Sequence, residues 1–123
     1  MRQHVSLLAS LLLCLRAGSM AAELRAQPAA VEPHATHRVE INRFAFQALS
    51  TSVDVDDTVV WVNSDIVPHT VTDQGGAFDS GTLAPGASWK LVAKTPGTFH
   101  YLCTLHPNMA GTLIVRPKKP TDK

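Results

Sequence analysis

Asp56-Asp57-Thr58-Val59-Val60-Trp61-Val62-Asn63 is the stretch that decides the fold class. Two acidic residues mark a turn, and a run of β-branched and aromatic residues follows that is too short for a typical helix. Period-2 alternation sets Val59 and Trp61 on one face and Val60 and Val62 on the other. Upstream, Val53 and Val55 alternate with acidic residues. Val39, Ile41, Phe44 and Phe46 mark a first strand region with an irregularity near Asn42-Arg43. Downstream, His69 to Thr72 alternates again before the glycine turn Gly75-Gly76. Pro85-Gly86 precedes a strand from Ser88 to Ala93, Pro96-Gly97 precedes one from Thr98 to Cys103, and Gly111 to Arg116 closes the series. Nothing after residue 37 sustains the apolar spacing of a long helix. Short strands divided by regular turns predict an all-β fold, a Greek-key β-sandwich.

The segments outside these strands have other characters. Arg2 followed by the apolar run Val5 to Leu15 and small residues at Ala17, Gly18, Ser19 and Ala21 predicts an export signal over 1–21. That run is too short to span a bilayer, so no stable membrane insertion is expected. Residues 22–36, rich in Ala, Pro and Glu, read as a flexible lead-in. The domain is placed at 37–117, with a polar tail over 118–123. Of the 11 Lys and Arg, Arg2 and Arg16 fall in the signal, leaving 9 against 10 Asp and Glu. Near-neutral charge without a basic run gives no case for nucleic acid. With Cys14 in the signal, Cys103 is the only thiol of the exported chain, and no internal disulfide is open to it.

Cys103-Thr104-Leu105-His106-Pro107-Asn108-Met109 supplies that thiol with a role. It sets a thiolate, an imidazole and a thioether in the spacing Cys-x2-His-x2-Met, and His69 offers a second imidazole upstream. Two nitrogens, a thiolate and a weak axial sulfur are the ligand set of a blue-copper electron-transfer site. Cu(II) favours nitrogen and Cu(I) favours soft sulfur, and a trigonal site with a long axial Met serves both. A catalytic Cys-His pair is the competing reading, but no third orienting group is identifiable. His34 and His37, capable of weak metal binding, read as solvent-facing, His100 as non-ligating, and Trp61, Trp89, Phe99 and Tyr101 as core.

From Phe46 onward the chain resembles the cupredoxins, the small blue copper proteins. The resemblance is carried by Asp57 through Asn63, Pro68-His69-Thr70-Val71, Phe78-Asp79-Ser80-Gly81, Pro85-Gly86, Gly97-Thr98-Phe99 and Tyr101 through Met109 with Gly111. The two-residue gap between His106 and Met109 looks like amicyanin within the amicyanin/plastocyanin-like members. The resemblance implies a cupredoxin-like sandwich with one copper ion on His69, Cys103, His106 and Met109. It implies a soluble one-electron carrier rather than an enzyme; the export signal points to the periplasm, and a monomer is the default expectation. Transient redox partner proteins would dock on an apolar surface around His106. A copper storage or delivery module without redox duty is the alternative function, and zinc the alternative metal. Two departures from the family stand out. Leu105 lies where many relatives carry proline, so its N–H is expected to bond the Cys103 sulfur alongside that of Thr70. Asp56 replaces a common glycine, and aspartate tolerates left-handed backbone angles.

Overall fold

The computed structural model describes residues 25–28 and 30–120. The expected signal over 1–21 and the last three residues of the tail lie outside the described residues. The chain divides into two units between Val31 and Glu32, and every strand belongs to the second. The strands are β1 Thr36–Asn42, β2 Ala45–Phe46, β3 Ser50–Asp54, β4 Thr58–Asn63, β5 Thr72–Asp73, β6 Ser88–Val92, β7 Gly97–Cys103 and β8 His106–Arg116. They form two four-stranded sheets, ordered β2-β1-β4-β6 and β3-β8-β7-β5. The pairs β1–β4 and β3–β8 are parallel. Parallel neighbours cannot be joined by a tight turn, so the chain crosses from sheet to sheet after β2, β3, β4, β5 and β6. No helix occurs among the described residues, and the two sheets make the all-β, Greek-key sandwich that the sequence predicts.

Alternation in the sequence becomes burial in the fold. Along β4, Val59, Trp61 and Asn63 are buried while Thr58, Val60 and Val62 are only partly covered. Val39, Ile41, Val59 and Trp61 from the first sheet meet Val53, Tyr101, Leu113 and Val115 from the second across one apolar core. Tyr101 and Gly111 are cross-strand partners, and the phenol ring fills the space beside the glycine. A Cβ at Gly111 would lie 2.5 Å from Tyr101 Cζ, a contact no rotamer change of alanine can relieve. Glycine at 111 therefore permits the aromatic packing two residues before Cys103.

The irregularity near Asn42-Arg43 is a two-residue hairpin turn. Asn42 pairs with Ala45, and the intervening Arg43 and Phe44 have φ of 52° and 56°. Positive φ at both central residues matches the twist of a tight hairpin but normally selects Asn and Gly. Arg and Phe carry a Cβ penalty of about 1 kcal/mol each there. Asp56 has φ of 76°, the left-handed angle expected from its place in the turn before β4.

Asp57 ties together the starts and ends of three strands. Its carboxylate accepts the Ala35 N–H at 2.8 Å and the Asp54 N–H at 3.0 Å, and faces His37 Nε2 at 2.8 Å. His37 is thus engaged at the sandwich end and not simply solvent-facing, a pairing with Asp57 that no local pattern announces. Burial of Asp57 opposes its ionisation, but the hydrogen bonds from Asp54, His37 and Ala35 outweigh that and lower its pKa. A lowered carboxylate pKa stabilises the fold above the ordinary value and loses that contribution as pH falls through the folded value. Asp57→Asn should therefore lower the unfolding free energy of the metal-free protein, read from urea titration, by about 1–3 kcal/mol at neutral pH. The difference should shrink below about pH 4 as the wild-type carboxyl protonates. Equal loss at both pH values would contradict the assignment.

Candidate metal centre

Local hydrogen bonding, rather than regular structure, presents His69. The chain leaves β4 at Asn63, whose fully buried amide donates to Val67 O and Leu83 O, both at 2.9 Å. Asn63 Oδ1 accepts the Asp65 N–H at 3.0 Å, so one side chain uses most of its capacity to fold the segment 63–69. His69 N–H then donates to Leu83 O at 3.1 Å, and Leu83 N–H returns a bond to His69 O at 2.7 Å. The ring is fully buried, with Nε2 2.9 Å from Asp65 Oδ2. A carboxylate only accepts, so Nε2 carries the proton and Nδ1 keeps its lone pair for the centre.

Cys103 and His106 come from strands and not from an extended loop. The sequence reading ends one strand at Cys103 and begins the next only at Gly111, leaving His106 between them. In the structure β7 runs through Cys103, β8 begins at His106, and the two residues pair across the turn Thr104–Leu105. A register irregularity between Leu102 and Cys103 re-aims the thiol at this end of the ladder. Cys103 is fully buried and is a free thiol. His106 is partly covered, and Met109, three residues along β8, is buried.

These elements bring His69, Cys103 and His106 together, with their ligating atoms all within 4.8 Å of one another. The Nδ1 atoms of His69 and His106 each lie 3.7 Å from Cys103 Sγ. An ion bonded at about 2.3 Å to sulfur and about 2.0 Å to nitrogen, with ligands about 120° apart, would separate those atoms by about 3.7 Å. The donor set and its spacing fit a first-row transition metal.

Residues 33–116 match the copper binding proteins of the plastocyanin/azurin family. The chain belongs to this family. Copper is its metal. Among relatives, it is 27% identical over 88 residues to Amicyanin-alpha of Methylorubrum extorquens, covering 68% of this chain and 74% of the relative. It is 30% identical over 82 residues to amicyanin of Paracoccus denitrificans, covering 63% of each chain, so more than a third of that relative lies outside the match. Solved structures share the fold, two among them as follows. A mutant of amicyanin in its Cu(I) form superposes with a TM-score of 0.62 at 28% identity, over 66% of this chain and 82% of that one. A purple cupredoxin from Nitrosopumilus maritimus gives 0.60 at 26% identity, over 65% and 99%.

This plastocyanin/azurin-family site carries an outer layer that sequence reading only half anticipated. Thr70 N–H donates to Cys103 Sγ at 3.3 Å, as expected. The second donor expected from Leu105 does not occur among the described residues. Leu105 occupies the turn with its side chain half exposed, and Thr70 is the backbone group aimed at the thiol. Thr70 Oγ1 also accepts the Thr104 N–H at 2.8 Å, binding the residue after His69 to the residue after Cys103. Asp65 was missed altogether. Its carboxylate accepts the Phe44 N–H at 2.9 Å and the Ile66 N–H at 2.8 Å besides facing His69. These bonds, led by that from Phe44, hold its pKa at about 2 against the opposing effect of burial. The available signal was a carboxylate four residues before a candidate ligand histidine. His100, read as non-ligating, is exposed and lies by Thr112 Oγ1 at 3.2 Å.

Thr70→Val keeps the N–H that meets sulfur and removes the acceptor for Thr104. The metal-free variant should lose about 1 kcal/mol in denaturant unfolding. Unchanged stability would mean that water replaces the hydroxyl at no cost.

Proposed function

We propose that this chain is a soluble one-electron carrier, with copper held by His69 Nδ1, Cys103 Sγ, His106 Nδ1 and the thioether of Met109. The observation that carries the reading is the pair of imidazole nitrogens at 3.7 Å from one buried thiol. Bound copper supplies the Cu(II)/Cu(I) couple. The protein's part is to change little as the electron arrives and leaves. Asp65 fixes the His69 ring and its tautomer, Thr70 fixes the sulfur, and the β7–β8 ladder fixes His106 relative to Cys103. Such restraint keeps reorganisation small, and no substrate bond is made or broken.

His106 is the partly exposed member of the set and the natural port for the electron. Around this end lie Phe44, Ile66 and Leu105, exposed by 52%, 88% and 50%. An apolar rim of that kind suits brief contacts of small area with redox partner proteins. No helix among the described residues is long and apolar enough to cross a membrane. The signal-like residues 1–21 support export to the periplasm, and the monomer is the working state.

Visible and electron-paramagnetic-resonance spectra of the purified protein after addition of Cu(II) test the reading. An intense blue thiolate-to-copper band with narrow hyperfine splitting is expected, and Cys103→Ser should abolish it. A pale Cu(II) spectrum from the wild type would overturn the ligand assignment. A blue site that hands Cu(I) readily to acceptor proteins but exchanges electrons poorly would point to storage or delivery.

A further inference from the structure

Phe44 occupies a position that neither exposure nor turn chemistry explains. Its side chain stands half in solvent, yet its ring packs edge-on against both imidazoles of the metal centre. The centroid separations are 5.0 Å to His106 at 83° and 5.8 Å to His69 at 89°, favourable T-shaped geometries. To reach them the backbone takes positive φ at both Arg43 and Phe44, where Asn and Gly would form the same hairpin without strain. The strained turn is held at the site by one bond. Phe44 N–H donates to Asp65 Oδ2, the same oxygen that faces His69 Nε2. A single carboxylate thus fixes both a ligand ring and the aromatic ring that lies over it. Local rules broken at one place, with the result pressed against a functional cluster, indicate a use for the ring.

We propose that Phe44 is a shield, set in place through Asp65, that closes the solvent side of the His69–Cys103–His106 cluster and slows exchange of metal and thiol-directed reagents with it. The approach it obstructs is the one left by His106, which is the partly covered residue while His69 and Cys103 are fully buried. Because the ring packs on the imidazoles and supplies no ligand atom of its own, the shield acts on access and leaves the ligand set unaltered. For metal exchange the inference rests on the copper reading above. For thiol access it does not.

Two measurements separate the cases, both on the full chain carrying Cys14→Ser, so that Cys103 is its one thiol. In the metal-free protein, the Cys103 thiolate attacks 4,4′-dithiodipyridine, forming one mixed disulfide as the reagent's S–S bond breaks and one pyridine thiol leaves. Phe44→Ala should accelerate this reaction about tenfold, the change expected when two edge-to-face contacts no longer hold the cover closed. In the Cu(I)-loaded protein, transfer of metal to a bicinchoninate chelator should accelerate by a similar factor. Phe44→Leu, which keeps an apolar cover of comparable bulk, should stay within about twofold of wild type in both. Arg43→Gly, which relieves the turn and keeps the ring, should react no faster than wild type. Unfolding midpoints of all variants show whether access runs through global opening. Wild-type rates in Phe44→Ala, or a rise matched by the fall in its stability, would overturn the shield. Loss of the blue spectrum in the wild type would instead overturn the copper assignment and leave the thiol result standing.

Discussion

One backbone N–H, that of Thr70, joins two parts of the sequence 33 residues apart by meeting the Cys103 sulfur at 3.3 Å. The bond runs from the segment that leaves β4 in one sheet to the last residue of β7 in the other. Both flanking residues matter to it. His69 is clamped to Leu83 by two backbone bonds, and Thr104 is clamped to Thr70 Oγ1. The candidate ligand atoms therefore meet as a consequence of how the sheets are joined. An arrangement of this kind suits an ion whose two oxidation states favour different surroundings, because neither state can draw the protein fully to itself.

Around that bond the protein spends buried polar groups where a sandwich would ordinarily place apolar ones. Asn63 sits at the end of the buried face of β4, in register with Val59 and Trp61. Its carboxamide bonds to Val67, Leu83 and Asp65, which turns the chain toward His69. Asp65 then carries the order outward to the imidazole and to the Arg43–Phe44 turn. Such groups are acceptable in an interior only when their partners are in place. The apolar core beneath, built on Trp61, Tyr101 and Leu113, gives the frame that keeps those partners in place.

Much of this was legible in the sequence, and the limits have physical causes. Thr58–Asn63 was readable residue for residue because period-2 alternation of β-branched and aromatic side chains persists through the whole strand. His69, Cys103 and His106 were readable because few chemistries require those residue types at that spacing. The hairpin at Arg43–Phe44 registered only as an irregularity, since neither residue is the Gly or Asn that normally announces such a turn. The start of β8 at His106 was hidden by Pro107 and Asn108, which read as loop residues although a strand at the end of a ladder admits them. Asp65 and the Asp57–His37 pair depend on partners more than a turn away in sequence or across strands, and no periodicity reports those. Leu105 shows the converse error. Possession of a free N–H made it a candidate donor, but the two-residue turn decides where that N–H can point.

As the proposed electron carrier, a centre held this firmly should pass electrons with little rearrangement. The most direct test is the electron self-exchange of the copper-loaded protein, followed by NMR line shapes in mixtures of oxidised and reduced forms at several concentrations. Resonances near His106 should broaden and merge in proportion to protein concentration, reporting rapid bimolecular exchange through that edge. Separate oxidised and reduced spectra with no concentration-dependent broadening would contradict it.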